Sequence, residues 1–205
     1  MTALEVRTAL VGVQAHLQNG TMHALLWPMR RSRLGPESIR EIVFGTEDGV
    51  VQNMALIAGM VGAGISSSVI LLAGSINGIA GVLAMSMGTF LSSQAERDAL
   101  TANGGGNGTV RTPVKDAAVM AAAYAMGAFV PLLPFMVPPL SRFAAVWVAV
   151  GLAGLTLFAL GVTKAAVSDQ RPLRSGLQLL ALASAAGLAG YLIGAAAQAV
   201  FGIEV

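Results

Sequence analysis

The sequence predicts an all-α integral membrane protein with five transmembrane helices, and three observations support this fold class. Hydrophobic residues make up 55% of the 205-residue chain and charged residues only 11%, whereas about 25% of the residues in an ordinary soluble domain are charged. Apolar runs that are long enough to cross a bilayer recur along the chain. The basic residues are also distributed unevenly between the segments that connect these runs.

Five predicted spans form one domain, residues 40–205. Ser67 can cap the second span, Pro113 suits the first turn of the third, and the Gly-rich connector 101–109 ends the second helix. As one helix, residues 67–100 would extend about 50 Å, so this span is predicted to project beyond a hydrocarbon core about 30 Å thick. The spans are residues 40–63, 67–100, 113–137, 143–164 and 172–201.

Residues 1–39 are predicted to form a separate segment on the cytosolic side. They lack the basic start and clean apolar core of a secretory signal, and their mixed pattern favours an amphipathic helix on the membrane or against the bundle. With the N-terminus in the cytosol, Arg142 is the only one of the 12 basic residues on the outer side. Because cytosolic loops of membrane proteins are enriched in Lys and Arg, the N-terminus is predicted inside and the C-terminus outside.

Several function classes are excluded by what the sequence lacks. The chain has no cysteine, so disulfides, Cys-ligated zinc and iron–sulfur clusters are ruled out. It contains no glycine-rich phosphate loop, no HExxH and no GxSxG motif. The protein is therefore predicted not to be an enzyme and to carry no resident cofactor. It is predicted to contact the lipid bilayer and not to bind nucleic acid.

Asp48 is the central candidate functional residue because it lies inside the first apolar run. A carboxylate at the centre of a membrane helix costs about 2.5–3.5 kcal/mol on insertion scales, while each Leu, Ile, Phe or Val contributes only about 0.3–0.6 kcal/mol. Ionisable residues within membrane helices typically mark ion pathways. Asp48 is accordingly predicted to face protein, water or a passing cation.

Other polar side chains are predicted to join Asp48 in a site for a transported metal ion. Carboxylate, amide and thioether groups together suit a divalent first-row metal of intermediate softness such as Fe²⁺, whereas a harder cation would prefer oxygen ligands alone. Structural roles remain open as alternatives: Glu47 can pair with an Arg, Met85 can pack between helices, and Asn77 can link two helices by a hydrogen bond. The candidate metal ligands are Asp48, Met85, Asn77, Glu47, Gln52 and Glu41.

Four segments resemble, in order, the first three spans of the vacuolar iron transporter (VIT/CCC-type) family: FGTEDGVVQNMALIAGMVGAG, SSSVILLAG, GVLAMSMGTFLSSQAERD and YAMGAFVPLLPFM. The likeness covers most of residues 42–137. It implies a homodimer of five-helix protomers with a path between the paired first spans. It also implies export of Fe²⁺, and often Mn²⁺, from the cytosol, commonly in exchange for protons. Asp48 falls on the family's transport-path aspartate, and Met85 falls on the methionine of its second span.

Two departures from the family pattern bear on function. Asn77 lies where plant members have a glutamate, which leaves proton coupling and metal preference open and makes Glu47 a candidate replacement for that carboxylate. The connection between the second and third spans, residues 101–112, is short, whereas plant members carry a Glu-rich metal-binding insertion there. The chain is thus similar to the short, nodulin-like branch, and Glu41 or Glu96 would recruit metal at the cytosolic end.

The sequence predicts a divalent-metal exporter for Fe²⁺ first and Mn²⁺ second, in the cell membrane of a prokaryote or a vacuolar-type membrane of a eukaryote. The main alternative is a non-transporting membrane scaffold or regulatory subunit, in which Arg40 or a partner neutralises Asp48 and Glu47. A transporter of an organic cation would need a wider aromatic-lined cavity, and aromatic residues make up only 5% of the chain.

Overall fold

Five long helices make up the part of the chain that this computed structural model describes, residues 36–102, 112–137, 140–167 and 171–202. No strand occurs within these ranges, which confirms the all-α prediction for them. The predicted N-terminal segment lies outside the described residues except for 36–39. The helices are α1 (Pro36–Gly62), α2 (Ser67–Ala102), α3 (Pro113–Phe129), α4 (Arg142–Val167) and α5 (Pro172–Phe201), with a short 3-10 helix, Val130–Met136, that continues α3.

Four of these segments are long and apolar enough to cross a membrane, by length and composition: Ser67–Ala102, Pro113–Met136, Arg142–Ala165 and Pro172–Phe201. Helix α1, which contains the predicted first span, is not among them. Its 27 residues would extend about 40 Å, which is enough to cross the hydrocarbon core. Helix α1 is more polar than the other four helices because it carries Glu47, Asp48, Gln52 and Asn53.

The third predicted span, residues 113–137, corresponds to the apolar segment Pro113–Met136 and contains two kinds of helix. Helix α3 ends at Phe129, and the chain continues as a 3-10 helix. Pro131 and Pro134 lie in this stretch, and proline has no backbone N–H and clashes with the carbonyl four residues before it. The tighter turns bury Leu132 and Phe135 against the end of the bundle.

Helix α1 lies at the centre of the bundle. It contacts all four other helices and packs most extensively against α3 and α5. Glycines allow this close approach, since a Cβ atom at Gly49 would collide with the backbone of α3 and one at Gly194 would collide with the carbonyl group of Gly59. The polar residues of α1 are therefore surrounded by protein on most sides. Ionisable residues in membrane helices usually face the interior of the bundle in this way.

The contacts of α1 also give the relative directions of the helices. Gly45 and Gly49 lie against successive positions of α3, and Ala55 and Gly59 lie against successive positions of α5, so α1, α3 and α5 run parallel. The pair Gly190 and Gly194 of α5 contacts α1 of the same chain. Helix α2 runs in the opposite direction and exposes a row of apolar side chains: Leu72, Ile76, Ile79, Leu83 and Met87.

An apolar core closes one end of the bundle. It joins the C-terminal part of α1 to α2, the 3-10 helix and α4, and its buried members are Ile57, Ile70, Leu132, Phe135, Ala145 and Ala149. The turn between α1 and α2 passes through Gly64, whose φ of 77° is a left-handed conformation that suits glycine. Nη1 of Arg142 donates to the carbonyl oxygens of Gly64 and Ile65, at 2.9 and 3.3 Å.

Candidate metal site

Asp48 lies on the central helix, partly buried, between two glycines that pack against neighbours. Gly45 and Gly49 bring α1 against the backbone of α3 around Tyr124, and the Asp48 carboxylate is within electrostatic range of the Tyr124 side chain. No described residue donates a hydrogen bond to this carboxylate, and no buried polar atom in the described ranges lacks a partner. Its oxygens are consequently accessible and available to a ligand.

Glu47 has a basic neighbour that the sequence did not identify. Its carboxylate interacts electrostatically with Lys164 in the last turn of α4, as well as with Asp48. This arrangement is the charge compensation weighed as an alternative for Glu47, with a lysine in the role expected for an arginine. The two adjacent acids therefore have different surroundings, because only Glu47 has a basic group facing it among the interactions of the described residues.

Gln52 and Asn77 meet across α1 and α2, as members of a chain of hydrogen bonds that we call the amide network. The hydroxyl of Tyr124 donates to Gln52 Oε1, and Gln52 Nε2 donates to Asn77 Oδ1 at 3.4 Å. Asn77 Nδ2 then donates to Oδ1 of the fully buried Asn53 at 2.8 Å. The network joins α1, α2 and α3, and it includes the helix–helix hydrogen bond weighed as the structural role of Asn77.

Glu41 and Met85 line a second polar feature, a pocket of about 190 Å³ between α1, α2 and α3. Glu41 is only 2% exposed. The pocket brings a carboxylate, a thioether and hydroxyl groups together nearer the N-terminal end of α1 than Asp48 is. Its remaining lining residues are Arg40, Phe44, Ala84, Gly88, Thr89, Ser92 and Met120.

The six predicted ligands thus form three groups along α1 rather than one cluster: Glu41 with Met85, Glu47 with Asp48, and Gln52 with Asn77. Within the described ranges, no three His, Cys, Asp or Glu side chains converge on a possible metal position. The three acidic side chains of the set, Glu41, Glu47 and Asp48, therefore do not meet at one point within the described part of one chain. The assignment of these six residues as metal ligands stays a prediction.

Three polar residues near the site are absent from the predicted ligand set. Tyr124 and Asn53 belong to the amide network, and Asp116, 5% exposed, accepts a hydrogen bond from Ser93 at 3.0 Å. Tyr124 is the only tyrosine in α3, and Asn53 follows Gln52 directly, so each carried a weak signal. Asp116 lies in the first turn of α3, where a carboxylate is favoured by the helix dipole even without a ligand.

Most of the chain is similar to proteins of one known family. The family model described as the VIT family matches residues 39–106 and 105–195. Vacuolar iron transporter 1 of Eucalyptus grandis is 26% identical over 218 residues, which cover 79% of this chain and 87% of the relative. Vacuolar iron transporter 1 of Arabidopsis thaliana is 25% identical with the same coverage, and vacuolar iron transporter 2 of Oryza sativa subsp. japonica is 26% identical, covering 80% and 89%.

The likeness extends through the whole bundle and is not confined to the stretch around Asp48. The two matched segments together run from α1 into α5, and the apolar helices α2 to α5 accord with an integral membrane protein. A match of this extent settles the relationship, and the chain belongs to the VIT family.

Proposed function

We propose that this protein transports divalent transition metal, Fe²⁺ first and Mn²⁺ second, out of the cytosol. The observation that carries the proposal is the Asp48 carboxylate, which lies on the central helix of a membrane bundle without a hydrogen-bond donor among the described residues. An unpaired carboxylate in such a place is costly. A cation that binds there while passing provides the compensation, and the relatives named vacuolar iron transporters support iron as that cation.

The proposed working unit is a homodimer with five spans per chain, the N-terminus in the cytosol and the C-terminus outside. Near Asp48, the described residues of one chain offer that carboxylate, the Glu47 carboxylate beside Lys164, and neutral amide oxygens, which is a sparse ligand set for a dehydrated Fe²⁺ ion. Phe44 and Gln52 of α1 are exposed on the bundle surface, and an exposed polar side chain at that depth is poorly matched to lipid. A second copy that covers this surface would bring a second Asp48 to the ion.

The pocket lined by Glu41 and Met85 is the first binding site on the proposed path. Its carboxylate attracts the cation, and its thioether favours Fe²⁺ over harder cations. The ion then passes to Asp48, where protonation of the carboxylate would weaken its hold on the metal and couple release to proton entry. Counter-transport of protons is thus a consequence of using one ionisable group for both cations.

Asp48→Asn tests the proposal, since it removes the charge and keeps the size of the side chain. In sealed vesicles with a pH gradient, Fe²⁺ flux is expected to fall more than about 30-fold, because breaking a desolvated charge pair costs 2 kcal/mol or more. Asp98→Asn, at an exposed position near the end of α2, is the matched control and should leave flux unchanged. Undiminished flux in Asp48→Asn would exclude Asp48 from the mechanism.

The same experiment separates transport from the scaffold alternative. A scaffold in which Lys164 compensates Glu47, and Arg40 or a partner compensates Asp48, would show no flux in the wild type. It would also show no stoichiometric Fe²⁺ or Mn²⁺ binding that depends on Asp48.

A further inference from the structure

The amide network has a fixed direction, and two backbone carbonyl groups determine it. Asn53 Nδ2 lies 2.6 Å from the carbonyl oxygen of Ala128 and 3.3 Å from that of Gly74. Only an NH₂ group can donate to two carbonyl oxygens, so the side chain of Asn53 has one permitted orientation. Its Oδ1 atom must be an acceptor, and Asn77 must approach it with Nδ2.

The orientation of Asn53 also determines the orientation of the next two amides, Asn77 and Gln52. Since Nδ2 of Asn77 is engaged with Asn53, its Oδ1 faces Gln52 and accepts from Nε2. Gln52 in turn presents Oε1, which accepts the hydroxyl hydrogen of Tyr124. Asn53 and Tyr124, both fully buried, therefore hold the network at its two ends.

This direction leaves oxygen atoms, and not NH₂ groups, available to a cation. A carbonyl oxygen has two lone pairs, and the side-chain oxygens of Gln52 and Asn77 each accept one hydrogen bond within the network. Each keeps one lone pair free. Gln52 is exposed and Asn77 partly exposed, and Gln52 lies one helical turn from Asp48.

We propose that Tyr124 and Asn53 are positioning residues of the metal site, which fix the amide oxygens of Gln52 and Asn77 as neutral ligands beside Asp48. The proposal rests on the proposed function. An amide that turns by 180° presents its partly positive NH₂ group and repels the ion. A fixed amide therefore binds more tightly than one that samples both orientations.

Tyr124→Phe tests this role because it removes only the hydroxyl that holds Gln52 Oε1 in place, while Asn77 determines which way the amide faces. The apparent KM for Fe²⁺ is expected to rise about fivefold, the equivalent of one neutral hydrogen bond, while the maximal rate per folded protein changes less than about twofold. The control is Tyr191→Phe, which removes the hydroxyl of the only other tyrosine, 47% exposed on α5, and should leave both parameters unchanged.

A second variant distinguishes positioning of Gln52 from a packing role of the tyrosine. In a Gln52→Ala background, Tyr124→Phe should have no further effect on KM, since the amide that the hydroxyl holds in place has been removed. A similar fivefold rise in both backgrounds would overturn the proposal, and so would an unchanged KM in Tyr124→Phe alone.

Equilibrium Fe²⁺ binding to the purified full chain, measured beside flux, separates this inference from the proposed function. Binding that depends on Asp48 but not on Tyr124 would contradict the positioning role alone. Flux that is absent from the wild type, with binding that is indifferent to Asp48→Asn, would contradict the proposed function itself.

Discussion

The two ends of α1 differ in chemistry, and the difference suggests how the bundle is used. Toward its N-terminal end, α1 faces a pocket lined by Glu41 and Met85. Toward its C-terminal end, Ile57 lies in an apolar core, and Gly59 packs directly on the backbone of α5. Asp48 and the amide network lie between these ends. The N-terminal end of α1 thus offers a polar pocket, and the C-terminal end is closed by apolar side chains.

This asymmetry has a physical reason in the membrane setting. Helix association in lipid depends on close packing of small residues, because the hydrophobic effect between helices is lost there. Glycine packing runs along α1 from Gly45 to Gly59, whereas buried polar side chains that need partners, such as Glu41 and Asp116, lie toward the polar end.

The largest effect is expected from breaking the closed end with Gly194→Val. The new side chain would collide with the backbone of α1 at Gly59, where only a helix shift can relieve the clash. Overpacking typically costs about 1–3 kcal/mol and more where backbone must move, so the variant should lose much of its thermal stability. Gly187→Val on the same helix is the control, because nothing lies within 4 Å of a Cβ there; equal losses in both variants would contradict the packing account.

The polar end is expected to respond to Ser93→Ala, which removes the hydroxyl that donates to the buried Asp116 carboxylate. Loss of a donor to a buried group costs about 1–3 kcal/mol, so the thermal unfolding temperature of the purified protein should fall. Ser92→Ala tests the adjacent position, where an exposed serine donates only to Thr89 of its own helix. A smaller loss at Ser93 than at Ser92 would show that the buried pair does not stabilise the polar end.

The smallest effect is expected in the pocket lined by Glu41 and Met85, where it tests the role of the Met85 thioether. Met85→Leu keeps the apolar volume and removes the thioether, which should reduce the preference for Fe²⁺ over Mn²⁺ roughly fivefold, an effect of about 1 kcal/mol. Competition between the two metals for uptake into vesicles measures this ratio. Met87→Leu is the matched control because Met87 is 64% exposed and lies outside the pocket. An unaltered ratio at both positions would make Met85 a packing residue.

Much of the architecture could be predicted because it follows from local properties of the chain. The all-α class, the breaks near Gly64 and Pro113, and the unusual polarity of α1 can be read from composition, apolar length and turn residues. The third span was predicted as residues 113–137, and one membrane-length apolar segment does cover Pro113–Met136, but its change from α-helix to 3-10 helix at Val130 was not predicted. The length of an apolar run predicts which residues lie in the bilayer. It does not predict whether they form an α-helix or a 3-10 helix around proline.

The six candidate ligands were chosen from the sequence and stay a prediction, and their grouping along α1 could not be read from the sequence. The cost of a carboxylate in an apolar run is a property of one position, so Asp48 could be chosen from the sequence alone. The basic neighbour of Glu47 lies on α4, and the donor to Asp116 lies on α2, at distances along the chain that no local pattern encodes. These pairings depend on which faces the helices turn to one another.

The sequence by itself determined that this chain forms apolar helices and one helix that carries polar groups, because the cost of placing each residue in lipid is largely independent of its neighbours. Only the tertiary structure decided that Gln52 meets Asn77, 25 residues away, and Tyr124, 72 residues away. Helices that are apolar on nearly all sides do not specify their rotation by periodicity. Glycine contacts and hydrogen bonds between helices fix that rotation instead.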